Sequence, residues 1–241
     1  MRYPGVMKPG VCWAVVLLAA ACGEFLAPPA GGPVPVVQAL LVAGEDTQSL
    51  WVEWSTPADS VYRPAVRPID SALVDLRLLG PDGTATPFLP SSGTPGRFVA
   101  RVHVQSQSTY RLAGVIADSA VSAQTTVPAP LRILSPATDT VRLRDGESVP
   151  LVWGHNGAAS YALRLSIGFR AGFLADTSRV IGPCPRTTCV WTVLALDAAA
   201  AAFLIVNEYF SAPLPRPGNV RGASGFFGSA AADQRVVVWQ P

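Results

Sequence analysis

From residue 34 onward, apolar and polar positions alternate with a period of two through most of the chain. In residues 71–79, Ala72, Val74, Leu76 and Leu78 share one face while Asp75 and Arg77 take the other. That pattern predicts a strand with one buried and one wet face. Pro81-Asp82-Gly83 supplies the turn after it. Residues 96–105 repeat the pattern, with Phe98, Ala100, Val102 and Val104 inward and Arg101 and His103 outward. Further strands are expected at 108–115 and 122–127. Pro128-Ala129-Pro130 then breaks the ladder, because proline has no N–H to donate.

The alternation resumes beyond that break. Val141 and Leu143 share a face, as do Val149, Leu151 and Trp153. After a turn at 154–157, Tyr161, Leu163, Leu165 and Ile167 alternate with Ala162, Arg164 and Ser166. A valine-rich strand at 235–239 closes the chain. Residues 198–202 are helix-compatible, but Phe203-Leu204-Ile205-Val206 has the branched composition of a strand, so one short helix at most is expected. Many short strands with regular turns predict an all-β protein of two sandwiches, at 34–128 and 131–241.

The first residues follow different rules. Arg2 and Lys8 precede an apolar stretch at 11–18 and the small residues Ala19-Ala20-Ala21, the three parts of a secretory signal over residues 1–21. Leu17-Leu18-Ala19-Ala20-Ala21-Cys22 resembles the lipobox of bacterial lipoproteins, with Ala19 where that family has Leu. The resemblance implies a diacylglycerol on Cys22, which becomes the new N-terminus. Ordinary A-x-A cleavage at the same bond is the alternative. Gly23 in place of Asp resembles the sorting pattern for an outer membrane. Residues 22–33, rich in proline and glycine, read as a tether.

The chain has 241 residues, 49% hydrophobic and 14% charged, enough for a buried core. Its formal charge of +2 belongs to the signal: without Arg2 and Lys8, 16 arginines face 16 acidic residues. With no basic cluster left, nucleic-acid binding lacks its electrostatic drive. No apolar run reaches the roughly 20 residues that span a bilayer.

Candidate chemistry is sparse. Cys184 and Cys189 are expected to form a structural disulfide, since Cys12 leaves with the signal and Cys22 carries lipid. A redox pair or metal site is the alternative, but the C-x-x-C spacing is missing. His103 and His155 are candidate general bases, although neither has a serine, cysteine or paired acid at a recognised spacing. No catalytic residue, metal or cofactor is expected. Asp145-Gly146-Glu147-Ser148 has calcium-like oxygens, and a hairpin turn is the simpler reading. Residues 222–228, with Phe226 and Phe227, are expected to form a close-packed loop or bulge, or else a partner contact. Trp51 and Trp54 fall on opposite faces of one strand, so one of them is expected at the surface as a ligand contact.

Trp153 before its turn and Tyr161 after it resemble the second and third strands of fibronectin type III domains, which implies immunoglobulin/fibronectin-III-like sandwiches. The first half, through Ala72-Leu73-Val74, Gly83 and Gly96-Arg97-Phe98, resembles transthyretin-like and carboxypeptidase-regulatory sandwiches. Four segments in order, Val36-Val37-Gln38-Ala39, Ser71-Ala72-Leu73-Val74, Ala123 to Pro128 and Asn219 to Gly228, resemble an uncharacterised family of bacterial outer-membrane lipoproteins. Members are often encoded beside TonB-dependent transporters. The resemblance implies a lipid-anchored, non-enzymatic interaction module, accessory to such a transporter. A stand-alone carbohydrate- or peptide-binding surface protein is the alternative, and a hydrolase the least favoured reading.

Overall fold

A computed structural model describes residues 33–55, 67–166, 168–174, 177–182, 184, 188–209 and 218–240. The signal, Cys22, most of the tether and Ile167 lie outside the described residues. Strands β1 (Pro35–Val42) and β2 (Thr47–Trp54) form an antiparallel hairpin turning at Gly44. The buried Gln48 amide completes the turn. Its Nε2 donates to the carbonyls of Val42 (3.2 Å) and Glu45 (2.8 Å), and its Oε1 accepts from the Val42 N–H (2.9 Å).

Next come β3 (Val74–Leu79), β4 (Ala85–Pro87), β5 (Leu89–Pro90), β6 (Arg97–Arg101), β7 (Thr109–Ile116) and β8 (Ser119–Thr126). The strand expected from residue 71 starts three residues late. Asp70 accepts from the Ala72 N–H at 3.0 Å and holds Ser71–Leu73 in a 3-10 turn. Strands β5-β6-β2-β1 face β4-β3-β7-β8 across a core containing Leu50, Val52, Leu76, Phe98, Leu112 and Ile116. The Tyr110 hydroxyl, at the start of β7, accepts from the Gln105 N–H at 2.9 Å and pins the incoming loop.

The second half uses β9 (Ile133–Ser135), β10 (Thr140–Leu143), β11 (Val149–Trp153), β12 (Ser160–Leu165), β13 (Gly168–Leu174), β14 (Ser178–Ile181) and β15 (Thr188–Leu196). Helix α1 (Ala198–Tyr209) and β16 (Ser224–Trp239) follow. Strands β14-β11-β9 face the sheet β13-β12-β15-β16, with Leu151, Trp153, Tyr161, Ile181, Val193 and Val237 buried between them. Trp153 and Tyr161 stand in opposite sheets, their rings 5.8 Å apart. Tyr161 accepts from the Asn156 N–H at 3.1 Å, the same five-residue reach as Tyr110.

Strand β16 joins the halves. One edge pairs antiparallel with β15, from Ala230↔Leu196 to Val238↔Thr188. The other edge pairs in parallel first with β1, Val36↔Ser224 to Val42↔Ala230, and then with β10, Thr140↔Val236 to Leu143↔Trp239. Among the described residues the result is one nine-stranded sheet, and residues 34–241 form one compact unit. The inner face of β16 puts Phe227 in the first core and Ala231 and Val237 in the second. Its outer face puts Phe226 and Ala230 beneath α1 with Ala200, Ala201, Leu194 and Leu196.

Two polar devices hold this strand. At the crossing between cores, Thr125 Oγ1 lies 2.8 Å from Ser229 Oγ and donates to the Asp197 carboxylate. Asp197 also caps α1, accepting from the Ala200 N–H at 2.8 Å, and donates its own N–H to the Ser229 carbonyl at 3.0 Å. Further along, buried Arg235 donates to the carbonyls of Pro136 and Ile133, both at 3.0 Å, and pairs with Asp233 at 3.3 Å. Asp233 accepts in turn from the Ile133 N–H at 2.7 Å. These bonds satisfy a charge that would be costly if buried alone.

Two expectations need correction. The helix is not confined to 198–202: the Asp197 cap starts it, and it runs on through residues 203–206, with Phe203 stacked on Phe226, tertiary context overriding local strand propensity. Residues 224–228 are not a loop but the first third of β16. Asn219 makes this possible, its amide bonding both the N–H (2.9 Å) and the carbonyl (2.7 Å) of Phe227 along the edge β15 leaves open. Gly225 is required as well, because at φ +104° a Cβ would lie 2.0 Å from the Val37 carbonyl oxygen. Gly225→Ala is therefore expected to destabilise the protein by about 3 kcal/mol or more. Gly44→Ala, with φ +83° and nothing within 4 Å, should cost only about 1–2 kcal/mol. Urea unfolding midpoints of the two variants check the contrast.

Candidate functional site

Along β2 the side chains of Gln48, Leu50 and Val52 are buried, and Trp54 packs against the same core. The opposite face carries Ser49, Trp51 and Glu53, and Trp51 is 42% exposed. The alternation therefore resolves the tryptophan pair: Trp51 is the surface member and Trp54 belongs to the core edge. Phe226 and Phe227, named with them as contact candidates, are 7% and 0% exposed. Phe226 stacks on Phe203, ring centroids 3.9 Å apart and planes 22° from parallel, while Phe227 fills the first core. Neither presents a surface to a partner.

Strand register sets the surroundings of Trp51. Gln38 of β1 and Arg97 of β6 are its direct cross-strand partners, which places their Cβ atoms about 5 Å away on either side. Phe226 is the next member of that row beyond Gln38. There the floor ends at a wall, since α1 covers Phe226 and partly buries Leu40. The Arg97 guanidinium is held by a 3.0 Å bond from Nη2 to Ser49 Oγ. On the far side Val99 pairs with Leu89, which is 59% exposed. An indole thus lies on an open sheet face between an amide and a fixed guanidinium. Gln38, Ser49 and Arg97 have no local signature in the sequence, because only pairing between distant segments assembles them.

The other candidates lie apart from this row. His103 Nδ1 is 2.7 Å from Asp46 Oδ1, both exposed, and the pair ties the β1–β2 turn to the segment after β6. His155 Nδ1 accepts from the Gly157 N–H at 3.2 Å within its own turn, its ring edge-on to Tyr161. Asp145 accepts from Trp239 Nε1 at 2.9 Å, and Glu147 accepts from the Arg144 N–H at 2.7 Å. That turn joins β10 and β11 in opposite sheets, so it is a crossing and not the expected hairpin. Among the described residues no three His, Cys, Asp or Glu side chains converge. The Asp82 carboxyl is held below the usual range by the Thr84 backbone N–H (3.0 Å) and then the Thr84 hydroxyl (2.8 Å), which is turn chemistry.

Cys184 and Cys189 form a disulfide with a Cα–Cα distance of 6.0 Å, both buried in the second core between β14 and β15.

No family model and no curated protein matches the chain. Solved structures align along much of it at low identity. Fibronectin(III)-like modules of Clostridium thermocellum CbhA share 10% identity over 85% of this chain and 90% of theirs, with a TM-score of 0.28. A two-domain fibronectin type-III segment of chicken tenascin shares 13% identity over 69% of this chain and 93% of its own, TM-score 0.22. A tandem pair of titin Ig domains shares 11% identity over 87% and 98%, TM-score 0.25. At such scores the fold rests on the strand order itself: among the described residues β5-β6-β2-β1 against β4-β3-β7-β8 in the first half and β14-β11-β9 against β13-β12-β15-β16 in the second, an all-β tandem of immunoglobulin/fibronectin-III-like sandwiches.

Replacing both cysteines by alanine should lower stability by about 2 kcal/mol through the six-residue loop the bond closes. Chemical denaturation compares the variant with the parent, and dithiothreitol should shift the parent by a similar amount.

Proposed function

We propose that the chain is a lipid-anchored, non-enzymatic interaction module of a bacterial outer membrane, accessory to a TonB-dependent transporter. The observation that carries the reading is the run Leu17 to Cys22 after a basic and apolar leader. Acyl chains on Cys22 would hold the protein by partition, each buried CH₂ contributing about 0.8 kcal/mol. The 22–33 tether spans at most about 40 Å when extended, so the module would work close to the membrane that holds it. No helix among the described residues is long and apolar enough to cross a membrane.

The transporter assignment rests on the lipoprotein-family resemblance of four segments. Two of them, Val36 to Ala39 and Asn219 to Gly228, meet in the β1–β16 pairing, which supports reading them as one structural device and not as a catalytic motif. The hydrolase reading gains an acid for His103 in Asp46, but the pair stands open to solvent at the rim of a turn. A second reading, ligand binding in its own right, is favoured by the exposure of Trp51.

Metabolic labelling with radioactive palmitate should mark the full chain and leave Cys22→Ala unlabelled. Unlabelled parent protein would remove the anchor. After mild detergent solubilisation, a β-barrel transporter should co-purify in stoichiometric amount, and recovery of the protein alone would remove the accessory role as a stable complex.

A further inference from the structure

We propose that the outer face of the first sheet is a saccharide-binding site, in which a pyranose ring stacks on the Trp51 indole and its rim hydroxyls bond to Gln38 and Arg97. This deepens the reading of Trp51 as ligand-facing and does not depend on the lipid anchor.

A pyranose has two chemically different parts: a face of C–H groups that is apolar, and a rim of hydroxyls that must keep their hydrogen bonds. A site for it needs a flat apolar platform with polar groups set one ring radius away. Trp51 is such a platform, 42% exposed on the outer face of the sheet. Its partners in the row are an amide that both donates and accepts and a guanidinium that donates in a fixed plane. The Cβ of each lies about 5 Å from that of Trp51. The Ser49 bond fixes Arg97 before any ligand arrives and uses one of its five donors. Less side-chain freedom is then lost on binding.

The same geometry disfavours a peptide. Strand addition needs an open sheet edge, and β2 is paired on both sides, by β1 and by β6. A helical peptide would need a groove for successive apolar anchors, whereas this floor has one indole flanked by polar groups. The floor has limits too. Helix α1 rises over Phe226 on one side, and on the other Leu89 offers a second exposed apolar surface two strands from Trp51. Two strand spacings are about 10 Å, the scale of a second sugar ring along a chain. A linear oligosaccharide running from the α1 wall across β2 towards β5 fits those limits.

The test uses the full chain in mild detergent and a panel of hexasaccharides: β-1,4-linked glucose, N-acetylglucosamine, mannose and xylose. Tryptophan emission and calorimetry should detect at least one of them with a dissociation constant of about 1 mM or tighter. Trp51→Ala should weaken that binding by about thirtyfold or more, Trp51→Phe should retain most of it, and Gln38→Ala and Arg97→Leu should each cost about fivefold. Urea midpoints confirm that the variants are folded, and Trp239→Phe, remote from the row, should bind like the parent. Two results overturn the site: no hexasaccharide binding at about 10 mM, or binding that survives Trp51→Ala. A casein peptide digest that binds in place of the sugars, and is lost in Trp51→Ala, would keep the surface ligand-facing while overturning its saccharide assignment.

Discussion

Everything in this fold depends on β16 serving two cores at once. A strand has one inner face, and here that face carries Phe227 into the first core and Ala231 and Val237 into the second. The crossing point is Ser229, fully buried, where an apolar side chain would belong to neither core. A buried hydroxyl is tolerable only with partners: the Thr125 hydroxyl and the Thr126 carbonyl supply them, and Thr125 in turn donates to the Asp197 carboxylate. Thr125 and Thr126 end β8, and Asp197 caps α1. The same bonds that satisfy Ser229 therefore lock together the shared strand, the helix and the first sandwich.

A shared strand changes what two sandwiches in tandem can do. Domains joined by a linker reorient freely unless a large interface holds them. Here the junction is a backbone ladder, with β1 and β10 taking successive stretches of one β16 edge. Bending between the halves would break paired N–H and C=O groups, a cost absent from an ordinary linker. Arg235 and Asp233 add a second clamp by fastening β9 to the far end of the same strand. The unit is suited to hold a surface at a fixed attitude.

The sequence displayed its strands wherever one face was wet. Residues 97–101 and 109–116 were legible because polar and apolar residues alternated, and the break at Pro128 was legible because proline cannot pair. Failures fell where both faces are buried. Phe226, Phe227 and Ala230 lie between a core and a helix, so their stretch shows no alternation and resembled a glycine loop. The α1 error has the same root: Phe203 to Val206 looked like a strand because branched residues favour one locally, and only the Asp197 cap and the cover over Gly228 decide for helix. The disulfide could be anticipated, and so could the exposure of one of the two tryptophans, though not which, since spacing and period two are local. The flanks of Trp51 could not, because Gln38 and Arg97 reach it through pairings far apart in sequence.

The surface around Trp51 and the buried seam are two consequences of one register. Gly225 lets β16 approach β1 closely, with the Val37 carbonyl where a Cβ would stand. That approach sets Gln38 opposite Phe226, and Gln38 is in turn opposite Trp51. A slip of one residue would send Phe226 into the core and Phe227 out beneath α1, because side chains alternate with a period of two. Ser229 would leave the crossing as well, and Thr125 and the Thr126 carbonyl would lose the hydroxyl they bond. The buried polar cluster therefore penalises any other register. The wall beside Gln38 stays in place only while Ser229 stays at the seam.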